Sequence, residues 1–166
     1  FDACTKLSMV LLETFCVGID LEPGYLNESF MPNHTGFIRL NYYPVEDPLK
    51  NSEVKHNTVA DLGVHHHTDA GAFTLLLQDQ VGGLQVYRNG FWHNILPEPG
   101  AIVVNTGDMM QVWSNDLYQA AIHRVLAMES KNRYSIPFFF NPAAITKISP
   151  LPSVVSKERP NRYSPI

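Results

Sequence analysis

The fold class is decided by residues 67–86, HTDAGAFTLLLQDQVGGLQV, in which two short apolar runs flank the glycine pair Gly82-Gly83. The runs at 73–78 and 83–88 are rich in Leu, Val and Phe and have the length of strands. A glycine pair between two such runs is a turn signal. The stretch therefore predicts two consecutive strands joined by a turn.

The same alternation of short strands with turn residues continues in both directions, from Gly36 to Asn141-Pro142. Asn89-Gly90, between Tyr87 and Phe91, is the strongest hairpin signal in the chain. Many short strands spaced by turn residues predict a mostly β protein, either a sandwich or a jelly roll. We predict strands at 37–43, 64–68, 73–78, 83–88, 91–95, 101–105, 109–113, 121–127 and 134–140.

The residues on either side of this β region have a different character. Apolar residues from Leu7 to Phe15 recur at helical spacing and predict a helix that ends near Gly18. Residues 25–30 predict a short second helix. We expect one domain with a helical lead-in over about 1–30, a jelly roll over about 36–142 and an extended, Pro- and Ser-rich tail over 143–166.

Composition limits the classes of partner. The 166 residues are 45% apolar with a net charge of −4 and a pI of about 5.9, which predicts a globular chain. No long cluster of Lys and Arg is present, so we expect no nucleic-acid partner and no anionic-membrane patch. No apolar run approaches the length that spans a bilayer. We also expect a monomer whose partner is a small molecule.

The two cysteines, Cys4 and Cys16, indicate a reducing compartment. On one helix, their separation corresponds to a rise of about 18 Å, which is too long for a disulfide. Reduced thiols predict a cytoplasmic protein.

A candidate metal site lies at 63–69, where three of the seven histidines stand beside a carboxylate. On an extended strand His65, His67 and Asp69 share one face, while Val64, His66 and Thr68 share the other. Side chains at positions i and i+2 are close enough to converge on one metal. His65-x-His67 could begin a cupin-like site, but such sites continue with a Glu, and none occurs here before Glu98.

The register His67-x-Asp69 is therefore favoured, and His123, inside the apolar segment 120–125, is the candidate third ligand. Two histidines and one carboxylate on one side of a metal leave positions open, which is typical of non-haem Fe(II) oxygenases. The alternatives are a chance His-x-Asp and an ordinary hydrogen-bonded core histidine. On this face His65 is also expected to point toward the site.

A candidate anion site follows ten residues after His123. Arg133 and Ser135 share one face of a predicted strand, and a guanidinium with a neighbouring hydroxyl can bind a carboxylate. Asn41 and Tyr43 share a face of another strand and could offer an amide and a phenol to the same acid. Taken alone, Arg133 and Ser135 are also compatible with an ordinary pair on the surface. Asn41 and Tyr43 are likewise compatible with residues of the core or of a sheet edge.

Together these segments resemble the 2-oxoglutarate/Fe(II)-dependent dioxygenase superfamily, and within it the isopenicillin N synthase-like branch. The resemblance extends from Ile38 to Tyr163. Its motifs are RLNYYP (39–44), HTDAGAFTLLLQDQVGGLQV (67–86), PGAIVVNTGDMMQVWSND (99–116), HRVLA (123–127) and RYSIPFFFNP (133–142).

The resemblance implies a double-stranded β-helix with iron ligands His67, Asp69 and His123. It implies that Arg133 and Ser135 bind the distal carboxylate of 2-oxoglutarate, assisted by Tyr43 and Asn41. The implied reaction uses Fe(II) and O₂, with ascorbate as a reductant, and decarboxylates 2-oxoglutarate to succinate while a small organic molecule is hydroxylated or otherwise oxidised.

Two other readings stay open beside the 2-oxoglutarate-dependent oxygenase. Isopenicillin N synthase and aminocyclopropane-carboxylate oxidase share the triad and the Arg-x-Ser but do not use 2-oxoglutarate. A jelly roll that has lost catalysis is the third reading, which an intact triad disfavours.

Members of the family also carry a long helical N-terminal region and continue past Ile166, so we expect this chain to be a catalytic core cut from a longer protein. Five further side chains are equally compatible with the substrate pocket and with the core, namely Phe73, Leu75, Gln85, Trp113 and Phe140.

Overall fold

The computed structural model describes residues 1–45 and 62–165. None of the helices within these ranges is long and apolar enough to cross a membrane. In chain order the elements are α1 (Asp2–Val17), α2 (Asn27–Phe30), β1 (Phe37–Ile38), β2 (Asn41–Tyr43), β3 (Leu62–His67), β4 (Phe73–Gln78), β5 (Leu84–Arg88), β6 (Phe91–Asn94), β7 (Val103–Thr106), α3 (Asp108–Trp113), β8 (His123–Leu126), β9 (Arg133–Phe140) and a 3₁₀ turn (Pro152–Val154).

The strands form two antiparallel sheets. The first sheet has the order β1-β9-β4-β7, and β2 also pairs with β9. The second sheet has the order β3-β8-β5-β6. The chain passes repeatedly from one sheet to the other, for example from β3 to β4 and from β8 to β9. Most neighbours in a sheet are therefore distant in sequence, and β5 and β6 are an exception, since they form a hairpin. This is the expected jelly-roll architecture, preceded by two helices.

The predicted strand at 37–43 is divided into β1 and β2. Both halves pair with β9 in one continuous register, from Phe37 opposite Phe139 to Tyr43 opposite Arg133. Only Arg39 and Leu40 leave the ladder, and the N–H of Arg39 still donates to the Pro137 carbonyl.

The predicted strand at 109–113 is wrong, because these residues form the helix α3. A short apolar run does not distinguish a buried strand from a buried helix. Helical spacing places Met110 and Trp113 on one buried face, and Asp108 provides a negative charge in the first turn. The N–H of Asp108 donates to the carbonyl of Asp69, which ties the start of the helix to the candidate metal site.

The hydrophobic core lies on the outer face of the first sheet, beneath the helices. Phe30 of α2 stacks on Phe140 with ring centroids 4.5 Å apart, and Phe15 of α1 packs on Phe73 at 5.4 Å. Strand alternation then directs the neighbours of these residues, such as Phe139, to the inner face. Of the positions left open between pocket and core, Phe73, Leu75, Trp113 and Phe140 belong to the core, and Gln85 hydrogen-bonds Asn94 outside the cavity.

The tail is anchored to the loop after α3 rather than free. Asn115 accepts from the N–H of Arg162 (3.1 Å), and Arg162 pairs with Asp116 (2.8 Å), which also accepts from the Tyr163 hydroxyl. Burial acts to raise the pKa of Asp116, but hydrogen bonds from Tyr163, Arg162 and Gln111 together keep it below its ordinary value. The same hydrogen bond from its hydroxyl raises the pKa of Tyr163. Cys4 and Cys16 both lie on α1 with free thiols.

We expect Leu12→Ala to lower the free energy of unfolding by about 2–5 kcal/mol, because Leu12 is fully buried where α1 packs on the first sheet. Chemical denaturation followed by circular dichroism measures the change. Val10→Ala is the matched control, since Val10 is 60% exposed on the same helix. Equal losses from the two variants would contradict this placement of the core.

Candidate metal centre and its cavity

The three predicted ligands lie together between the two sheets. His67 ends β3 and is directly opposite His123, the first residue of β8. Asp69 follows two residues after His67, and its Oδ1 is 3.8 Å from His67 Nε2 and 3.7 Å from His123 Nε2. One ligand atom from each of the three side chains lies within 4.8 Å of the others. A single metal ion fits this arrangement.

Backbone carbonyls orient both histidine rings. The Nδ1 atoms of His67 and His123 lie 2.8 Å and 2.9 Å from the carbonyl oxygens of His65 and Ala121. A carbonyl only accepts, so each Nδ1 carries the proton and each Nε2 offers a lone pair. The rings are thus held in the tautomer that a metal ligand requires, with both Nε2 atoms near Asp69.

A β-bulge in β3 overturns the expected assignment of faces. Val64 pairs with Val125 and His67 pairs with His123, so β3 has one more residue than β8 between these pairs. Val64 and His67 therefore both line the cavity, although simple alternation predicts opposite faces. His65 was expected to point toward the site, but it is not among the residues that line the cavity, and its backbone carbonyl is what contacts His67.

Two polar residues of the first sheet hold the carboxylate of Asp69. The side chain is buried, at 6% exposure, and its Oδ2 accepts from Thr74 Oγ1 (2.7 Å) and Asn105 Nδ2 (2.9 Å). Oδ1 is left facing the two histidines. Sequence reasoning missed Thr74 and Asn105, which pair across β4 and β7. Their signal was a polar residue within an otherwise apolar strand.

The inner faces of the two sheets enclose a cavity of about 300 Å³ with the metal centre in its wall. Its lining is mainly apolar and includes Leu76, Leu84, Val86, Val103 and Phe139. The four predicted anion-binding residues also line it, and they are neighbours in the sheet: Asn41 pairs with Ser135, and Tyr43 pairs with Arg133. The four residues that the sequence analysis grouped are thus neighbours in the structure.

Arg133 is the most unusual group in the cavity, since its side chain is only 1% exposed. Nη2 donates to Gln78 Oε1 (3.1 Å), and the guanidinium lies 4.9 Å from the ring centroid of Tyr43. Nε and Nη1 are buried with no partner, and no acidic side chain of the described residues pairs with this cation. A buried unpaired charge costs several kcal/mol, so the site fits a bound carboxylate.

Ser135 and Asn41 complete this end of the cavity. Ser135 is 3% exposed, and its Oγ accepts from Asn41 Nδ2 at 3.3 Å. The hydroxyl hydrogen of Ser135 is then free to donate to an anion bound at Arg133.

Comparison with known proteins identifies the family. Residues 34–142 match the family model of the 2OG-Fe(II) oxygenase superfamily. Gibberellin 20 oxidase 5 of Arabidopsis thaliana is 37% identical over 99% of this chain and 40% of its own length. The 1-aminocyclopropane-1-carboxylate oxidase of Persea americana is 36% identical over 92% of this chain and 47% of its own length.

Among solved structures, JOX2 in complex with 2OG, Fe and JA superposes with a TM-score of 0.86 at 34% identity. The superposition covers 99% of this chain and 47% of JOX2. The chain belongs to the 2OG-Fe(II) oxygenase superfamily. It spans less than half the length of each relative compared.

We expect the double variant Thr74→Val, Asn105→Leu to bind Fe(II) about 10–100-fold more weakly, because Asp69 loses both donors that orient it. Anaerobic isothermal titration calorimetry with Fe(II) measures the affinity. Thr14→Val on the exposed face of α1 is the control and should bind Fe(II) as the parent does. An unchanged affinity in a folded double variant would show that these donors do not support the metal centre.

Proposed function

We propose that this chain is the catalytic part of a non-haem Fe(II), 2-oxoglutarate-dependent oxygenase that hydroxylates or otherwise oxidises a small organic molecule. The observation that carries the proposal is one cavity that joins two features. A His-Asp-His cluster lies in its wall, and at another point of the same wall lies a buried guanidinium that pairs with no acid of the described residues. A dicarboxylate that chelates a metal through one end needs both features.

In this proposal His67, Asp69 and His123 hold the ferrous ion. Three protein ligands leave coordination positions for the oxo acid and for O₂, and the bound iron supplies the activation of O₂ that side chains cannot provide. The hydrogen bonds at both Nδ1 atoms and at Asp69 Oδ2 fix the ligands before metal arrives. The ordering cost on binding is correspondingly small.

Arg133 and Ser135 bind the distal carboxylate of 2-oxoglutarate. The two unpartnered nitrogens of Arg133 supply charge-assisted donors, and the Ser135 hydroxyl adds a third. Tyr43 covers the guanidinium face, and Asn41 fixes the serine oxygen. The relative JOX2 was crystallised with 2OG and Fe, which supports the same pair of groups here.

Two observations support a small organic substrate. The wall is mainly apolar, and its volume of about 300 Å³ suits a small molecule. The relatives include a gibberellin oxidase and a 1-aminocyclopropane-1-carboxylate oxidase, which supports a small organic substrate. Ascorbate as reductant, a monomeric state, a cytoplasmic location and a single domain stay predictions.

A second candidate is an Fe(II) oxidase that uses the same residues without 2-oxoglutarate. Its support is the 36% identity to a 1-aminocyclopropane-1-carboxylate oxidase, from a group that shares the triad and the Arg-x-Ser. In that case Arg133 and Ser135 would meet a carboxylate of the substrate or of another small acid.

The proposal predicts that the Fe(II)-loaded protein forms succinate from 2-oxoglutarate under air, slowly without substrate and faster with it. His67→Ala should abolish this activity, because it removes one of the three ligands. His93→Ala is the control, since His93 lies on β6 outside the cavity. Succinate is measured by mass spectrometry. Iron-loaded protein that forms none, yet oxidises 1-aminocyclopropane-1-carboxylate, would favour the second candidate.

We also expect Arg133→Gln to weaken 2-oxoglutarate binding at least about tenfold, because truncating one partner of a buried charge pair costs about 2–5 kcal/mol. Anaerobic titration of 2-oxoglutarate into the Fe(II) protein gives the affinity. Arg88→Gln, at the exposed end of β5, is the matched control. Iron affinity should be the same in all three proteins. A wild-type affinity for 2-oxoglutarate in Arg133→Gln would place the anion site elsewhere.

A further inference from the structure

The helix α3 contacts the chain segments that carry two of the three metal ligands. At its start, the N–H of Asp108 donates to the carbonyl of Asp69 at 2.8 Å. One turn later, Oε1 of Gln111 accepts a hydrogen bond of 2.7 Å from the N–H of Ala120. Ala120 lies three residues before His123. The helix therefore contacts the backbone on the approach to one histidine ligand as well as the backbone of the carboxylate ligand.

The two histidine ligands differ in the surroundings of the carbonyl that orients each ring. The Nδ1 atom of His67 lies 2.8 Å from the carbonyl of His65, which is inside β3. The Nδ1 atom of His123 lies 2.9 Å from the carbonyl of Ala121, which precedes β8 in a segment without strand structure. A side chain, that of Gln111, holds the N–H of the residue before Ala121. The ring of His123 is thus oriented by a carbonyl whose segment depends on α3.

Two residues hold this segment before β8. Thr106, at the end of β7, accepts from the Ala121 N–H at 3.4 Å and donates its hydroxyl to the Gln119 carbonyl at 2.7 Å. Gln111 accepts from the Ala120 N–H at 2.7 Å. Because 3.4 Å is longer than an ordinary N–H···O bond, Gln111 makes the stronger of these two bonds to peptide N–H groups.

The carboxamide of Gln111 is itself held by the tail of the chain. A backbone N–H only donates, so the carboxamide atom that faces Ala120 is the oxygen, and Nε2 faces Tyr163. Nε2 donates to the hydroxyl oxygen of Tyr163 at 3.0 Å, and that hydroxyl donates to the carboxylate of Asp116. This order of donors and acceptors fixes the orientation of the carboxamide.

We propose that Gln111 is a positioning residue for the metal ligand His123, and that Tyr163 of the tail keeps the Gln111 carboxamide in place. Gln111 is not among the residues that line the cavity, so it acts through the backbone that leads to Ala121. The inference rests on the metal centre of the proposed function. It makes the affinity for metal depend on a tail residue that is also not among the lining residues of the cavity.

The physical reason is the tautomer of the His123 ring. An imidazole binds a metal through a nitrogen that carries no proton, and the carbonyl of Ala121 favours the form with the proton on Nδ1. Without the acceptor of Gln111, the segment that carries this carbonyl loses its stronger N–H bond and the carbonyl is less well fixed. The ring then also populates the form with the proton on Nε2, which cannot bind metal through that atom.

The imidazole tautomers and the metal affinity, measured on the same variants, test the inference. Gln111→Leu removes the acceptor and the donor, and Tyr163→Phe removes only the hydroxyl that holds them. In metal-free protein with neutral imidazoles, NMR of the labelled ring nitrogens reports which nitrogen carries the proton. We expect Gln111→Leu to change His123 from the Nδ1–H form to a mixture and to leave His67 unchanged. The affinity for Fe(II), measured by anaerobic calorimetry, should fall about tenfold in Gln111→Leu and by less in Tyr163→Phe.

Two control variants separate this role from a general loss of stability. Arg162→Met removes an ion pair of 2.8 Å between the tail and Asp116, but Arg162 makes no hydrogen bond to Gln111 in the described structure. Leu12→Ala destabilises the core beneath α1 and lies outside this hydrogen-bonded chain. Both control variants should keep the tautomer of His123 and the Fe(II) affinity of the parent.

Three results would overturn the inference: an unchanged His123 tautomer in folded Gln111→Leu, equal changes at His67 and His123, or the same loss of Fe(II) affinity in either control variant. If Gln111→Leu does not fold, the tautomer of His123 in Tyr163→Phe decides, and an unchanged ring there overturns the inference. The NMR measurement also separates this inference from the proposed function. If the parent protein binds no Fe(II), the proposed function fails, and the tautomer comparison in metal-free protein still decides the role of Gln111.

Discussion

The carboxylate of Asp69 is the group on which the rest of the site depends, because it connects the two sheets. One oxygen accepts from Thr74 and Asn105 of the first sheet, and the other faces His67 and His123 of the second. Its own backbone carbonyl receives the first N–H of α3. One residue thus contacts both sheets and the start of a helix. A buried carboxylate in this position needs its donors, since desolvation without hydrogen bonds is costly.

The two faces of the first sheet contact different parts of the molecule. Its outer face carries aromatic residues that pack beneath α1 and α2 and form the core. Its inner face carries Arg133, Ser135 and Asn41, which face a cavity rather than a second packed layer. Most sandwiches bury their apolar residues between the sheets. Here the helices on the outside provide that burial, and the space between the sheets is left for ligands.

The two arginines of the cavity wall differ in their surroundings. The buried Arg133 contacts Gln78 and Tyr43, but no acidic side chain of the described residues balances its charge. Arg39 also lines the cavity, but it is exposed, so its charge stays hydrated. The two arginines thus differ in burial, although Arg39 lies beside and Arg133 lies within strands of the same sheet.

The sequence alone predicted the strand-rich fold class, the order of most elements and the His-Asp-His and Arg-x-Ser residues that the structure brings to one cavity. His-x-Asp and Arg-x-Ser are short-range patterns, and alternation along an extended chain is a local property, so these could be read directly. Alternation failed at His65, because the bulge in β3 arises from pairing with β8, which no local pattern encodes. The helix at 108–113 was missed because six residues carry too little periodicity.

Only the tertiary structure decided which polar residues hydrogen-bond Asp69. Thr74 and Asn105 are 31 residues apart in sequence and meet at Asp69 because β4 and β7 are neighbours in the sheet. The same pairing rules bring Tyr43 to Arg133 and Asn41 to Ser135 across β9. Whether Phe140 belongs to core or cavity was likewise settled by where the helices pack. Contacts of this kind depend on strand order and register, which are properties of the assembled sheets and not of any segment within them.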